Sequence, residues 1–422
     1  MKKNDEIVIS ITDINNNGLG VGKYEGFVFF VANSAPGDLI RMGVTSIKKN
    51  YGYGRIIEII SPSENRVDSI CKLGSKCGGC SLLHISYPAQ LRIKEKQVKN
   101  ALIRIGGFDE EYINRATTPI IGMDEPYHYR NKAQYPVSID ENGRVKIGLY
   151  AKRSHRVVET ENCYIGQKSD KKILDAVGRW INTCNIPIYR EKEGKGLIRH
   201  ILIRHGTADE IMVCLISADK NIPHIEKLIK ELSIMDNIKT VCINVNDSRG
   251  NIILGRKTFT AWGTGSINDR FTARCKDKSN SIEVRISPES FYQINHSQME
   301  KLYQIAMEYL ELNGRESVWD IYCGIGTITL ALSGFVRQAL GIEEVEAAIK
   351  DAKENAQLNN IENVSFYCGK AESILTDNSI FQKFFTPDII LLDPPRAGCD
   401  LAVLNAILKA SPQKILYIRC NP

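Results

Sequence analysis

The sequence predicts an α/β protein of three parts. A small β-barrel of the oligonucleotide-binding type is expected at residues 1–62, a central, mostly-β domain at 63–285, and a doubly wound α/β domain at 286–422. Three observations support this division. Short strands crowd the first 60 residues, apolar positions alternate through the middle, and a strand, glycine turn, helix, strand and acid follow one another near residue 320. The length suffices for several hydrophobic cores.

The composition is globular, with 43% hydrophobic and 25% charged residues and a formal net charge of +6. Such a mild positive charge permits a nucleic-acid partner without requiring one. No apolar run approaches membrane-spanning length, and the start has no apolar signal-peptide core, so we expect no membrane association. The simplest expectation is a cytoplasmic monomer, in which twelve cysteines serve as ligands, nucleophiles and core residues rather than disulfides.

The first part reads as four short strands, at residues 7–11, 26–31, 39–44 and 55–60, separated by turns at 16–22 and 34–38. This spacing is typical of a small closed barrel. The stretch at residues 17–22, followed by residues 27–31 and Pro36-Gly37-Asp38, resembles the TRAM domain, an RNA-binding barrel. A generic β-barrel with another task is the alternative.

Three cysteines lie within ten residues, as Cys71-x5-Cys77-x2-Cys80. Packing rarely demands this spacing, so we expect a metal site. Zinc usually takes its four ligands as two pairs, whereas three clustered thiols and one distant thiol suit a four-iron cluster. Cys163 is the candidate fourth ligand. An iron–sulfur cluster is favoured and zinc is the alternative. The single cysteines in apolar surroundings are expected in the core: Cys184, Cys214, Cys242 and Cys275.

The central region opens with Tyr129, Arg130 and Lys132. Further basic and aromatic residues follow: Tyr135, Arg144, Lys146, Tyr150, Lys152, Arg153, His155 and Arg156. Because cations fit phosphates and rings stack on unpaired bases, the mixture suits single-stranded RNA. A solvated β-surface is the alternative.

The last part is organised around residues 317–330, where a buried strand ends at Asp320-Ile321-Tyr322-Cys323-Gly324 and Gly326 precedes a helix. Glu343 ends the next strand, 17 positions after Gly326. The acid at that position can accept hydrogen bonds from ribose hydroxyls. The turn lacks the third glycine of a dinucleotide fingerprint. It resembles the first motif of the Rossmann-like S-adenosylmethionine-dependent methyltransferases. An ordinary glycine turn is the alternative.

Asp393 and Cys420 both follow later strands, and Asp393 begins Asp-Pro-Pro-Arg. Arg396 stands where amino methyltransferases carry a base-stacking aromatic residue, which argues against an exocyclic amine target. A carbon target such as C5 of uracil needs a thiolate added at C6, and Cys420 is placed to supply it. Packing in the core is the alternative role for this cysteine.

At this point the chain resembles the RNA uracil-5-methyltransferases, in particular the 23S ribosomal RNA enzymes with a TRAM domain and an iron–sulfur cluster. The resemblance rests on the cysteine spacing and on five further motifs: residues 129–132, 291–295, 320–324, 393–396 and 420–422. It implies S-adenosylmethionine contacts, a nucleophile and cluster ligands. These are Gln293, Tyr322, Glu343 and Asp393 for the cofactor, Cys420 for the nucleophile, with Asp393 assisting it, and Cys71, Cys77, Cys80 and Cys163 for a [4Fe–4S] cluster.

The family pattern continues beyond Cys-Asn-Pro and there supplies the base that removes the C5 proton, so we expect an incomplete sequence with that base beyond Pro422. Three other functions stay open. They are methylation of transfer RNA, methylation of a small molecule or protein, and RNA binding without catalysis by an iron–sulfur relative.

Overall fold

The computed structural model describes residues 1–376, 384–396 and 398–419. These residues divide into two compact units. Residues 1–127 and 148–164 form the first unit, and residues 128–147 and those from 165 onward form the second. The three-domain division of the sequence stays a prediction. Within the described ranges, no helix combines the length and apolar character needed to cross a membrane.

The strands are β1 (Glu6–Ile14), β2 (Gly20–Tyr24), β3 (Phe27–Val31), β4 (Leu39–Ile47), β5 (Tyr51–Ser61), β6 (Lys132–Ile139), β7 (Val145–Tyr150), β8 (Val157–Glu159), β9 (Ile198–His205), β10 (Ile211–Ser217), β11 (Ile238–Val245), β12 (Lys257–Gly263), β13 (Ile267–Cys275), β14 (Lys278–Ile286), β15 (Ser317–Ile321), β16 (Gln338–Glu343), β17 (Val364–Cys368), β18 (Ile389–Leu392) and β19 (Lys414–Tyr417). The helices are α1 (Tyr87–Arg104), α2 (Glu110–Ala116), α3 (Asp170–Cys184), α4 (Ile225–Ser233), α5 (His296–Leu310), α6 (Thr327–Ser333), α7 (Glu346–Leu358), α8 (Ala371–Thr376) and α9 (Leu401–Ala410).

The first unit begins with a closed barrel of strand order β1-β2-β3-β5-β4. Its apolar residues alternate along the strands, so one face of each strand fills the barrel with side chains such as Ile9, Phe29 and Met42. The predicted barrel is confirmed. The predicted turn at residues 16–22 is wrong at its end, because β2 begins at Gly20. A Cβ atom at Gly20 would lie 1.9 Å from the Ser34 hydroxyl, so this glycine serves close packing rather than a turn.

The second unit contains an antiparallel region and a parallel sheet. Strands β12, β11, β10, β9 and β6 are neighbours in that order, with β10 and β11 parallel. The hairpin of β13 and β14 follows. Helices α3 and α4, which the sequence analysis did not predict, also belong to the central region, and the indole of Trp180 on α3 donates to the His224 carbonyl at 2.9 Å.

The parallel sheet has the order β17-β16-β15-β18-β19. Its three central strands, β15, β16 and β18, are buried on both faces, as a sheet covered on both sides requires. Val318 and Ile389 pack in the core that also holds residues of α6 and α7, whereas Trp319 and Ile390 pack with residues of α8 and α9. This confirms the predicted doubly wound architecture.

Candidate active site

The sheet order reverses at β15, because β16 and β17 lie on one side of it and β18 and β19 on the other. Ligands of such sheets bind in the crevice at the carboxyl ends of the strands beside this reversal. Tyr322 directly follows β15, Glu343 ends β16, and Asp393 directly follows β18. The structure therefore brings three of the four predicted cofactor residues to the same edge of the sheet.

The turn after β15 contains two glycines with different constraints. Both lie in the left-handed region, with φ of +57° at Gly324 and +79° at Gly326. A Cβ atom at Gly326 would lie 2.8 Å from the ring of Phe366, so this glycine allows α6 to start close to the sheet. Among the described residues, a Cβ atom at Gly324 would meet no atom within 4 Å outside its chain neighbours, so this part of the turn is open.

The carboxylate of Glu343 stabilises this turn through hydrogen bonds with the main chain. Its Oε2 accepts from the Gly324 N–H at 3.2 Å, and its Oε1 accepts from the Val345 N–H at 3.0 Å. Each carboxylate oxygen has a second lone pair, so the group keeps acceptor capacity for a ligand hydroxyl.

Tyr322 has an unusual backbone conformation for a bulky residue, with φ of +73°. Such conformations are strained and cluster at functional sites. The amides of Tyr322 and Cys323 both donate to the Ile342 carbonyl, at 2.9 and 3.0 Å, which fixes the turn to β16. The phenol of Tyr322 interacts with the side chains of Glu372 and Cys399, and burial raises its pKa.

Three carboxyl groups lie close together beneath the turn. Asp320 is 1% exposed, and burial, together with the charges of Asp393 and Glu343, raises its pKa from 3.8 to about 7. One of its oxygens accepts from the Thr329 hydroxyl at 2.6 Å. The other is buried with no hydrogen-bond partner among the described residues. Burial also raises the pKa of Asp393.

No role was assigned to Asp320 from the sequence, although this residue lies in the predicted motif at residues 320–324. Also missed was Tyr303, a fully buried residue of α5 whose hydroxyl lies 2.7 Å from that of Thr327 at the start of α6. The sequence of α5 gives no signal for this contact between two hydroxyl groups.

Gln293 lies on the segment between β14 and α5. Its backbone oxygen accepts from the side chain of Asn131 at 2.9 Å, and the Asn131 N–H donates to the Ile294 carbonyl. These bonds join the two predicted motifs at residues 129–132 and 291–295. A contact of the Gln293 side chain with Tyr322, Glu343 or Asp393 is not among the interactions that the structure describes.

The three predicted RNA-contacting residues are all partly buried. The guanidinium Nε of Arg130 is fully buried and has no partner within the described ranges. Lys132 begins β6 opposite Arg204. Burial, followed by the charge of Arg204, lowers the pKa of Lys132 to about 8. Lys132 is therefore a more enclosed cation than the sequence pattern suggested.

The four predicted cluster ligands all belong to the first unit and are partly buried thiols. Burial raises the pKa of Cys77, and the neighbouring thiols of Cys163 and Cys71 raise it further. Across the described ranges, no group of three or more His, Cys, Asp and Glu side chains is arranged to hold a metal ion. Of the single cysteines expected in the core, Cys214, Cys242 and Cys275 are buried, and Cys184 is partly exposed.

Cys420, the predicted nucleophile, lies outside the described residues. The chain leads to it through β19 and Arg419, whose guanidinium donates to the Tyr417 hydroxyl at 2.8 Å and to the Arg396 carbonyl at 2.6 Å. These bonds connect the segment before Cys420 to the Asp-Pro-Pro-Arg loop that begins at Asp393.

The parallel sheet, its glycine turn and the acid after the second strand define a methyltransferase of the doubly wound type. A model of the tRNA (Uracil-5-)-methyltransferase family matches residues 265–422, and a TRAM domain model matches residues 2–57. A Clostridium tetani protein named as an uncharacterized RNA methyltransferase is 39% identical over 100% of this chain and 89% of the relative. One from Staphylococcus epidermidis is 40% identical over 100% and 90%.

Among solved structures, the Pyrococcus abyssi tRNA (uracil-54, C5)-methyltransferase in complex with S-adenosyl-L-homocysteine is 25% identical. The match covers 98% of this chain and 90% of that one, with a TM-score of 0.73. The chain belongs to the RNA uracil-5-methyltransferase family and carries an N-terminal TRAM domain. It is an enzyme of that type, as the sequence predicted.

Proposed function

We propose that this enzyme uses S-adenosylmethionine to methylate C5 of a uridine in 23S ribosomal RNA. The observation that carries the proposal is the crevice at the reversal of the parallel sheet, where the glycine turn, Glu343 and Asp393 meet. Family membership supports the reaction type. The finer choice of ribosomal RNA rests on the combination of cysteine spacing and TRAM domain read from the sequence.

The chain's own residues have distinct tasks in cofactor binding. S-adenosylmethionine, when bound, supplies an electrophilic methyl group on a sulfonium. Glu343 accepts hydrogen bonds from the ribose hydroxyls with its remaining lone pairs. The space beside Gly324 admits the ligand, and the carboxylates of Glu343 and Asp393 favour a cationic one. Tyr322 and Gln293 make the remaining proposed contacts with the cofactor.

In the proposed reaction, the Cys420 thiolate adds to C6 of uracil and makes C5 nucleophilic. C5 takes the methyl group, a base removes the C5 proton, and elimination of the thiolate restores the C5–C6 double bond. Asp393 positions the base and the nucleophile. Since only the thiolate is reactive, the site must deprotonate Cys420 before addition.

For RNA recognition, we propose contacts from Tyr129, Arg130 and Lys132 near an extruded uridine, because C5 and C6 must leave the base stack to react. The partial exposure of Arg130 and Lys132 supports this role, since their charged groups can then pair with RNA phosphates. As part of the same proposal, the enzyme acts as a monomer in the cytoplasm.

We also propose that Cys71, Cys77, Cys80 and Cys163 hold a [4Fe–4S] cluster. The chemistry of the donors supports this proposal, because four partly buried cysteine thiols belong to one compact unit and Cys77 interacts with Cys163 and Cys71. Thiolates are the ligands that iron–sulfur clusters require. The cluster would tether the loop of residues 71–80 to the segment at Cys163. Its role is then structural.

Iron and sulfide analysis of anaerobically purified protein tests this assignment. We expect a brown protein with about four iron and four sulfide per chain. Cys163→Ala should lose the colour, whereas Cys184→Ala, a matched change at a partly exposed cysteine outside the set, should keep it. A colourless wild type with a single zinc would assign the thiols to zinc instead.

Transfer RNA is the second candidate substrate, because the matching Pyrococcus abyssi structure is that of a tRNA enzyme. Incubation of the protein with tritiated cofactor and with either 23S ribosomal RNA or bulk transfer RNA, both from a strain lacking the gene, separates the two. Mapped 5-methyluridine in ribosomal RNA alone supports the proposal. Methylation of transfer RNA alone would show that transfer RNA is the substrate instead of ribosomal RNA. Methylation at another position, or of no RNA, would refute the proposed function.

A further inference from the structure

Three aromatic rings cover part of the outer surface of the barrel. The ring of Phe30 on β3 lies 5.5 Å from that of Tyr51 and 5.9 Å from that of Tyr53, both on β5. The two tyrosine rings lie 5.6 Å apart in an edge-to-face arrangement. Tyr51 is 37% exposed. We call these three residues the aromatic face.

The strand alternation explains why these rings point outward. On β5, Tyr51 and Tyr53 alternate with Gly52 and Gly54. A Cβ atom at Gly52 would lie 2.4 Å from the ring of Phe29, and one at Gly54 would lie 2.5 Å from the Met42 side chain. Packing inside the barrel therefore requires glycine at both positions. It places no such requirement on the two tyrosines, whose rings lie on the opposite face of the strand.

A cation covers part of the aromatic face. The guanidinium carbon of Arg153 lies 5.8 Å from the centre of the Tyr53 ring, within the range of a cation–π contact. Arg153 has a left-handed backbone, with φ of +56°, in the tight turn between β7 and β8. That turn presents a set of exposed basic residues: Lys152, Arg153, His155 and Arg156.

The basic turn is also joined to the cysteine loop. The Gly78 N–H donates to the Tyr150 carbonyl at 2.9 Å, and Cys77 pairs with Ala151 as an isolated bridge. A Cβ atom at Gly78 would lie 2.9 Å from the same carbonyl, so the two segments are in close contact. The cysteine loop therefore packs against the start of the basic turn through backbone contacts.

We propose that Phe30, Tyr51, Tyr53 and Arg153 form a stacking site for an unpaired base of the substrate RNA, other than the uridine that is methylated. The residues assigned to methyl transfer belong to the second unit, whereas these four belong to the first. Exposed rings offer a sequence-tolerant surface to a base, and the adjacent cations neutralise the flanking phosphates. This inference rests on the proposed function.

RNA fits this surface better than a protein partner does. The basic turn places four exposed basic residues, counted with His155, in five consecutive positions beside the rings. Protein interfaces are depleted of lysine at their centres, whereas single-stranded RNA sites combine rings with a positive surface.

Binding of the full-length protein to a fluorescein-labelled, single-stranded RNA of about 16 nucleotides tests the inference, because that length spans one barrel of this type. We expect Tyr51→Leu and Tyr53→Leu to weaken binding about 5- to 100-fold each. Tyr51→Phe and Tyr53→Phe should bind like wild type, because stacking needs the ring and not the hydroxyl. Arg153→Gln should flatten the dependence of log K on log salt by about 0.7.

Tyr112→Leu is the matched control, since Tyr112 is 51% exposed on α2 of the same unit. It should bind RNA like wild type. Photo-crosslinking of wild type to the same RNA carrying 4-thiouridine gives an answer even where a leucine variant does not fold. Trypsin releases residues 50–55, which contain both tyrosines, as a single peptide, and this peptide should carry the crosslink.

Wild type that binds and methylates RNA, with leucine variants of equal affinity and no crosslink on residues 50–55, would overturn the stacking site and leave the proposed function intact. Folded leucine variants that bind RNA normally but lose a protein partner would also overturn it. A wild type that binds no RNA would refute the inference together with the proposed function.

Discussion

Replacement of Asp320 by asparagine should remove one defined part of the pH dependence of folding. Asp320 lies beneath the glycine turn with 1% of its surface exposed. Thr329 donates to one of its oxygens, and the other has no partner among the described residues. Charging this group in the folded chain is therefore costly, and burial and the nearby Asp393 and Glu343 raise its pKa to about 7.

The sign and size of the effect follow from linkage. Between pH 3.8 and about 7, the folded chain holds a proton on Asp320 that the unfolded chain has released. Stability therefore falls as pH rises through this interval. With these two pKa values, the contribution of Asp320 to the free energy of unfolding falls by about 3 kcal/mol between about pH 5 and pH 8.

Urea denaturation of wild type and Asp320→Asn at a series of pH values measures this quantity. The free energy of unfolding of wild type minus that of the variant should be about 3 kcal/mol larger at about pH 5 than at about pH 8. Asp277→Asn is the control, because this acid is exposed on the turn between β13 and β14. Its difference from wild type should not change with pH. Parallel curves for wild type and Asp320→Asn would show that Asp320 is ionised in the folded chain at acidic pH.

Three further predictions concern the reaction. Glu343→Ala should weaken S-adenosylmethionine binding at least about tenfold, because each lost charge-assisted hydrogen bond is worth roughly 1.5–3 kcal/mol; unchanged affinity by calorimetry would remove Glu343 from the site. RNA affinity should fall as pH rises through about 8, where Lys132 loses its proton, and Lys132→Arg should abolish this fall; an identical pH profile in both proteins would exclude Lys132 from RNA binding. Wild type should form a covalent adduct with 5-fluorouridine RNA on denaturing gels and Cys420→Ala should not, whereas an adduct that survives the substitution would identify another nucleophile.

The position of the cofactor crevice was predictable from sequence for a simple reason. Parallel strands end at the same edge of a sheet, so residues that directly follow buried strands meet there whatever the strand order. Tyr322, Glu343 and Asp393 all have this placement. The raised pKa of Asp320 was not predictable, because it depends first on how deeply the fold buries this residue and then on which strands bring Asp393 and Glu343 to the same edge.

Two glycines of β2 were wrongly predicted to lie in a turn. The glycines at residues 18–22 predicted a turn throughout, yet Gly20 and Gly22 lie in β2 with no positive φ. Their lack of a side chain serves contacts with Ser34 and Ser10 on other segments. A glycine required for local geometry and one required for tertiary packing look the same in a sequence. The proposed stacking site was missed for a related reason, since its four residues are spread over more than 120 positions of the chain.

The hydrogen bonds of the glycine turn determine how the cofactor meets the protein. Three consecutive amides, those of Tyr322, Cys323 and Gly324, donate to Ile342 and Glu343 on the adjacent strand. These protons should therefore exchange slowly with solvent deuterium in the free enzyme. Binding then requires little ordering of the main chain, so the entropy cost of forming this part of the pocket is borne when the protein folds rather than when the cofactor arrives.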